Sequence, residues 1–116
     1  MAVAEISQVN GRVPITILRL REHIHLGNFT ELENLAKDVH EAGTRNLVID
    51  LENSNTLTSI GLRALVVIHK IMAQADRDYR LKVAGATTMI QEIMEVTGIS
   101  EFIDIYDTVD EAVASF

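Results

Sequence analysis

Segments with a strand pattern alternate with segments with a helix pattern along most of this chain. Two strand patterns come first, over residues 3–10 and 13–22, and the dipeptide Asn10-Gly11 between them is typical of a β-hairpin. After the hairpin, each predicted helix connects one predicted strand to the next, and such helical connections give parallel pairing. The order β-β-α-β-α-β-α-β-α predicts an α/β fold: a mixed, mostly parallel sheet, an N-terminal antiparallel hairpin and four helices packed on the sheet.

The second strand changes the phase of its apolar residues. Val13, Ile15 and Ile17 share one face, whereas Leu18 and Leu20 share the other. Either this strand is buried in part on both faces or it carries a bulge.

Capping residues mark the helix boundaries. Asn28 with Glu31, or Thr30 with Glu33, would form a capping box for a first helix that ends at Ala42. Thr88 is predicted to cap the third helix and Thr108 the fourth. The remaining strands are predicted over residues 46–51, 80–84 and 102–106.

The composition argues against several kinds of partner and location. Seventeen acidic against ten basic residues give a net charge of −7, which disfavours nucleic acid and anionic membrane surfaces. The absence of cysteine removes disulfides, thiolate nucleophiles and cysteine zinc sites. Because no apolar run could span a bilayer and the N-terminus has no secretion-signal pattern, we expect a single cytoplasmic domain over residues 1–116.

Residues that could support catalysis or metal binding are scattered. His23 and His25 lie near a strand end, and His40 and His69 lie on separate helices, so we expect no metal site. Asp50 ends the third strand, as a receiver-domain acceptor does, but no acidic pair follows the first strand, so we expect a local hydrogen-bonding role. No phosphate loop or nucleophile motif occurs, and we expect neither catalytic residues nor a cofactor.

Two hydroxyl side chains, Thr58 and Ser59, stand where the second helix begins. One interpretation is helix capping, the usual role of these residue types. The other is phosphorylation, because the free N–H groups and the dipole at a helix N-terminus stabilise a phosphate dianion.

The second helix, over residues 59–75, is more apolar than a surface helix. Its predicted core stripe is Gly61, Ala64, Leu65, Ile68, Met72 and Ala75. Outside that stripe lie Leu62, Val66 and Val67, which are either buried by neighbouring helices or form a partner-facing strip beside Ser59.

Several segments together carry a family resemblance. The centre is the strand Leu47–Leu51, a seven-residue spacer and the helix start Ser59–Leu65. Further segments are Arg80–Gly85, Val96–Ile99 and Tyr106–Ala112. In this order and spacing they resemble the STAS domain family, the bacterial anti-sigma factor antagonists, over essentially the whole chain.

The resemblance implies a mixed sheet with helices on one side and no catalytic activity. It also implies that the unphosphorylated protein binds an anti-sigma factor, often a serine kinase of the histidine-kinase-like ATPase type, and so frees the sigma factor. The kinase would phosphorylate the start of the second helix and break the complex, and a phosphatase would reset it.

The residues that would carry this switch depart in part from the family pattern. Ile60 stands where one family form has its acceptor serine before Gly61, so Ser59 is the best acceptor and Thr58 the second. Gly27 stands where many members carry Asp. The partner-binding residues expected from the resemblance are Leu26, Asn28, Asn55, Thr56, Thr58, Ser59, Ile60, Leu62, Arg63 and Val66.

Two other functions remain open within the same family. A stressosome-type scaffold would self-associate and would be indifferent to substitution of Ser59. A sensor of a nucleotide or lipid would use the loops at residues 24–28, 52–58 and 85–88. An enzyme is the least supported alternative, because no nucleophile–base pair can be named.

Overall fold

A computed structural model describes residues 3–53 and 59–116 and confirms the predicted order of elements. The elements are β1 (Ala4–Asn10), β2 (Pro14–Leu20), α1 (Phe29–Glu41), β3 (Asn46–Asp50), α2 (Ser59–Ala75), β4 (Arg80–Ala84), α3 (Thr88–Val96), a short 3₁₀ helix (Ile99–Glu101), β5 (Asp104–Tyr106) and α4 (Val109–Ala114). The 3₁₀ helix was not predicted, and it shortens the last strand. Among the residues described, no helix is both long and apolar enough to cross a membrane.

One five-stranded sheet has the strand order β1-β2-β3-β4-β5. β1 is antiparallel to β2, and the remaining neighbours are parallel, as predicted. Because β2, β3 and β4 run in the same direction, the segments that follow them all leave the sheet at its carboxyl-terminal edge.

The hairpin turn is longer than the Asn10-Gly11 signal suggests. Asn10 pairs with Pro14, so three residues connect the strands, and the Gly11 N–H donates to the Val13 carbonyl at 3.1 Å. Proline has no N–H to donate, so the Asn10–Pro14 pair cannot be a fully hydrogen-bonded one. The last hydrogen bond of the β1–β2 ladder is therefore the one between Gly11 and Val13, within the three-residue turn.

The sheet has an apolar cluster on each face, which explains the phase change in β2. Leu18 and Leu20 belong to the main core, beneath α1, α2 and α3. Ile15 and Ile17 belong to a second cluster with Ala112 of α4. β2 pairs with β1 residue for residue, so it is buried on both faces without a bulge. The expectation of helices on one side is wrong for α4, which covers the opposite face.

Helix α2 is apolar mainly because its neighbours bury it. Leu62, expected outside the core stripe, is only 8% exposed and belongs to the main core. Val66 is half-buried and packs against the same core, and Val67 is half-buried. Ala75, expected in the stripe, is exposed near the helix end. Burial by neighbouring helices is therefore confirmed for Leu62, and Val66 is buried in part.

The capping predictions succeed at α4 and fail at α1 and α3. Thr108 caps α4, its hydroxyl accepting from the Glu111 N–H at 3.1 Å. Thr87 rather than Thr88 caps α3, accepting from the Ile90 N–H at 3.2 Å. Both threonines suit the role, and the backbone places the first of them in extended conformation immediately before the helix.

At α1 the N-cap residue Asn28 forms no capping hydrogen bond with its side chain. Its Oδ1 instead accepts from the His25 N–H at 2.8 Å, and its Nδ2 donates to the His23 carbonyl at 2.9 Å. Thr30 lies inside the helix, which begins at Phe29. The Asn28 side chain therefore stabilises the preceding loop instead of the helix N-terminus.

Candidate functional site

Ser59 is the first residue of α2, as the sequence predicts. Since α2 follows β3, its N-terminus lies at the carboxyl-terminal edge of the sheet, where the segments after β2 and β4 also leave it. Three residues of the predicted site lie outside the described ranges: Asn55, Thr56 and Thr58.

Asp50 ends β3 and is held on both carboxylate oxygens. The Arg19 Nε donates to Oδ2 at 2.9 Å, and the Glu52 N–H donates to Oδ1 at 2.9 Å. The Asp50 side chain is fully buried, whereas that of Arg19 is 45% exposed. The hydrogen bond to Asp50, followed by their Coulomb attraction, raises the pKa of Arg19. The prediction that Asp50 hydrogen-bonds locally is confirmed.

Gly85 holds the same segment from the side of β4. Its φ is +76°, and a Cβ there would lie 2.9 Å from both the Asp50 Oδ1 and the Glu52 nitrogen. Next to it, the Leu51 N–H donates to the Ala84 carbonyl at 2.8 Å. Leu51 and Glu52, which follow β3, are thus positioned by a buried carboxylate and by a residue that must lack a side chain.

A groove of about 320 Å³ lies beside the first two turns of α2. It is lined by Leu26, Phe29, Glu33, Ile60, Arg63, Ala64 and Val67. The structure therefore brings together three of the predicted partner-binding residues: Leu26 from the loop after β2, and Ile60 and Arg63 from α2. Leu26 is 75% exposed, so most of its apolar surface is open to a partner.

The loop before α1 is braced in a way that fixes where Leu26 stands. The Gly27 N–H donates to the His25 Nδ1 at 2.9 Å, and the Asn28 side chain bonds the backbone of His23 and His25. A Cβ on Gly27 would come within 2.9 Å of the His25 ring. Glycine at this position therefore lets the His25 ring fold back beneath the loop.

Three other predicted residues contribute little exposed surface. Asn28 is 7% exposed and Leu62 is 8% exposed, so both support the surface from below. Val66 is half-buried against the main core. Sequence reasoning missed Phe29, Glu33 and Val67. Their spacing was a usable signal: 29 and 33 share a face of one helix, and 60, 63, 64 and 67 share a face of the other.

Among the described residues that line it, the groove combines apolar side chains with one cation, Arg63, and one carboxylate, Glu33. Such a surface suits a protein segment with an apolar residue and a polar flank. In the part of the chain that the structure describes, no group of three or more His, Cys, Asp or Glu side chains could hold a metal ion. His40 and His69 lie elsewhere: the His40 Nε2 is 3.8 Å from Asp76 Oδ2, and the His69 ring packs against Phe102.

Comparison with known proteins gives consistent results. The anti-sigma-B factor antagonist of Staphylococcus aureus is 29% identical over 75 residues, which are 65% of this chain and 68% of that protein. An anti-sigma factor antagonist from Mycobacterium paratuberculosis superposes with a TM-score of 0.79 at 21% identity, covering 97% of this chain and 91% of the other. The anti-sigma factor antagonist SpoIIAA in its unphosphorylated form superposes with a TM-score of 0.67 at 9% identity, covering 97% and 94%.

The two structural superpositions show a shared fold at low sequence identity. The family model of the STAS domain matches residues 6–112, which include β2 to β5, most of β1 and both walls of the groove. The chain belongs to the STAS domain family.

Proposed function

We propose that this chain is an anti-sigma factor antagonist, which binds an anti-sigma factor at the groove between α1 and α2 and is released by phosphorylation of Ser59. The observation that carries the proposal is the position of the groove. Ile60, the residue after Ser59, lines it, and the exposed Leu26 stands on its other side. The Staphylococcus aureus relative, an anti-sigma-B factor antagonist, supports the same function.

The exposed leucine contributes part of the binding free energy in this proposal. Burying a leucine side chain fully is worth about 1.5–3 kcal/mol, so covering the 75% of Leu26 that is exposed would contribute about 1–2 kcal/mol. Because the Gly27–His25 and Asn28 hydrogen bonds brace the loop, little conformational entropy is lost when a partner covers Leu26.

The charges of Arg63 and Glu33 determine which charged side chains the partner must place at the groove. Arg63 is exposed and would bind an acidic side chain of the partner, at a contribution of roughly 0.2–1 kcal/mol for an exposed pair. These charges select the partner and its orientation more than they add affinity.

Phosphorylation of Ser59 would change this surface in two ways. The phosphate adds a charge of about −1.5 to −2, and a partner seated over it would have to desolvate a dianion. Positions 59 and 63 are also one helical turn apart, so the phosphate would compete with the partner for the Arg63 guanidinium. A combined cost of a few kcal/mol would weaken binding by about a hundredfold or more.

The fold itself would tolerate the modification. A helix N-terminus favours a negative group, since its first N–H groups have no partner within the helix and its dipole is positive there. The proposed kinase is the anti-sigma factor itself, a serine kinase of the histidine-kinase-like ATPase type, and a phosphatase would restore the binding form. In this proposal the chain catalyses nothing.

A pull-down from host lysate, read by mass spectrometry, tests the proposal. The baits are wild type, Ser59→Ala, Ser59→Asp and Thr88→Asp. The last is the matched control, because Thr88 is exposed at the start of α3 on the same edge of the sheet. We expect an ATPase-type anti-sigma kinase with every bait except Ser59→Asp, whose melting temperature should stay near that of wild type.

Two results would contradict the switch. If Ser59→Asp retains the kinase as well as wild type does, position 59 does not control binding. If all baits retain only other STAS chains, the scaffold function replaces the antagonist function. A saturable thermal shift with a nucleotide or lipid, in the absence of any protein partner, would indicate the sensor function instead.

A further inference from the structure

We propose that β1 is a self-association strand: two copies of this chain pair their β1 strands antiparallel, about a two-fold axis through Ser7, and join their sheets into one of ten strands. This proposal goes beyond the antagonist function and does not depend on it. It follows from the direction of the backbone groups of β1, from its side chains and from its charge.

The hydrogen bonds at the two ends of the β1–β2 ladder establish its phase. The Arg21 N–H donates to the Val3 carbonyl at 2.9 Å, and the Gly11 N–H donates to the Val13 carbonyl at 3.1 Å. Bonded and non-bonded pairs alternate along an antiparallel ladder, so the odd-numbered residues of β1 bond to β2. The residues whose N–H and C=O groups point to the open edge are Ala4, Ile6, Gln8 and Asn10.

Two further observations agree with this phase. Asn10 faces Pro14, which has no N–H and therefore fits only a non-bonded pair. Within residues 3–53 and 59–116, the outward groups of these four residues receive no hydrogen bond from any other segment. β1 thus presents the unused backbone N–H and C=O groups of four alternate residues at the open edge of the sheet.

β1 also lacks the features with which proteins usually protect an edge strand. Such strands carry prolines, lysines or bulges, or are covered by another element. β1 pairs continuously over seven residues and contains one charged residue, Glu5. Ile6 in its middle is 47% exposed, and Ser7 and Gln8 are exposed as well. The strand is therefore competent to pair with another strand.

Because only the even-numbered residues of β1 point their backbone N–H and C=O groups outward, two copies can pair in only some registers. Outward residues must face outward residues, so the axis must pass through a residue and not between two. An axis through Ser7 is the register that uses all four outward residues of each copy. It places Ile6 opposite the partner copy's Gln8 and Glu5 opposite Val9, whereas an axis through Glu5 would bring two carboxylates face to face.

Charge does not oppose this approach between two acidic chains. The chain has a net charge of −7, but the hairpin, residues 4–20, contains two arginines and one glutamate, and one of these arginines, Arg19, is paired with Asp50, so the hairpin is close to neutral. The hairpin is therefore a region where two copies can meet without repulsion between carboxylates. A two-fold contact uses the same strand on both copies and closes at a dimer. β1 lines no part of the groove, so the dimer would present two binding sites.

Charge-pair variants at the exposed positions 6 and 8 test the contact. Ile6→Lys with Gln8→Lys places lysine opposite lysine across the axis, whereas Ile6→Lys with Gln8→Glu places lysine opposite glutamate. In the Lys/Glu variant, the two copies attract each other at these positions only when the axis passes through Ser7. We expect sedimentation equilibrium to give wild type and the Lys/Glu variant a mass that rises from 12.9 kDa towards twice that value with concentration. The Lys/Lys variant should remain at 12.9 kDa.

The outcome that overturns the proposal is a wild-type mass that stays at 12.9 kDa up to about 1 mM, or a Lys/Lys variant that associates as wild type does. Association of wild type and of both variants would instead indicate another interface. Circular dichroism of each variant checks that the substitutions leave the fold intact.

Cysteine cross-linking tests the register independently, because the chain has no cysteine of its own. In the proposed dimer, Ser7→Cys faces its copy at a Cα–Cα distance of about 4.5 Å, which a disulfide can bridge. Glu5→Cys would be about 13 Å from its copy along the strands, given a rise of ~3.3 Å per residue. We expect disulfide dimers from Ser7→Cys at least tenfold faster than from Glu5→Cys. Equal rates would contradict the register.

Discussion

Arg19 and Asp50 face each other on the adjacent parallel strands β2 and β3, with the Arg19 Nε 2.9 Å from the Asp50 Oδ2. The pair is asymmetric: the carboxylate is fully buried and the guanidinium is half exposed. It lies at the edge of the sheet from which the chain leaves β3 towards Ser59. The pair therefore holds the carboxyl-terminal end of β3, the strand that precedes the candidate site in the chain.

This asymmetry predicts unequal effects of the two partners. Arg19→Met leaves a buried carboxylate with only the Glu52 N–H, and we expect a loss of about 2–3 kcal/mol, below the full cost of an unpaired buried charge because Arg19 is half exposed. Adding Asp50→Asn to Arg19→Met should recover about 1 kcal/mol. Urea unfolding measures both. A loss under about 0.5 kcal/mol for Arg19→Met would show that solvent replaces the guanidinium.

Gly85→Ala should destabilise the protein more than Gly98→Ala does. Both glycines have similar positive φ, +76° and +83°, so both substitutions add backbone strain of about 1 kcal/mol. Only at Gly85 would the new Cβ collide with the Asp50 Oδ1 and the Glu52 nitrogen, whereas at Gly98 the nearest atom, the Glu101 Oε2, is 3.9 Å away. We expect a difference of at least 1 kcal/mol in the free energy of unfolding. Equal losses would mean that the segment after β3 can shift freely.

Leu26→Asp should weaken partner binding without destabilising the fold. The side chain is 75% exposed, so its replacement removes little intramolecular packing. We expect at least a tenfold loss of affinity for the protein captured by wild type, because an aspartate would be buried in an apolar contact. Val96→Asp is the matched control, since Val96 is 88% exposed and does not line the groove. Equal affinity of Leu26→Asp and wild type would remove the groove from the proposed interface.

The burial of His69 predicts that the protein loses stability in mild acid. Burial lowers its pKa in the folded protein below the ordinary value of 6.5. The unfolded chain therefore takes up a proton at a higher pH than the folded chain does, and stability present above pH 6.5 is lost as the pH falls through the folded pKa. Urea unfolding at about pH 7.5 and about pH 5.5 measures the loss.

The control for this pH effect is His69→Gln. The other three histidines are present in both proteins, so only the difference between wild type and variant reports on position 69. We expect the variant to lose less stability than wild type between the two pH values. If both proteins lose the same amount, the burial of His69 does not contribute to the acid sensitivity.

The sequence by itself determined the order and type of the elements, because periodicity and turn chemistry act over a few neighbouring residues. The apolar spacing in α2, the Asn10-Gly11 signal between β1 and β2 and the Thr108 cap are all signals of this kind. Local chemistry was ambiguous where two neighbours suit one role, which is why the cap of α3 falls on Thr87 and not on Thr88.

Only the tertiary structure decided which faces meet. The apolar residues on both sides of β2 predicted that both faces of the sheet are covered. The packing of α4 against the second face, however, depends on contacts between Ala112 and residues about a hundred positions away in the sequence. Likewise Leu62 could face either a partner or the core until α1 packed against α2. Whether a side chain is buried depends on its own element and on the element that packs against it. The sequence pattern of one segment describes only the first of these two surfaces.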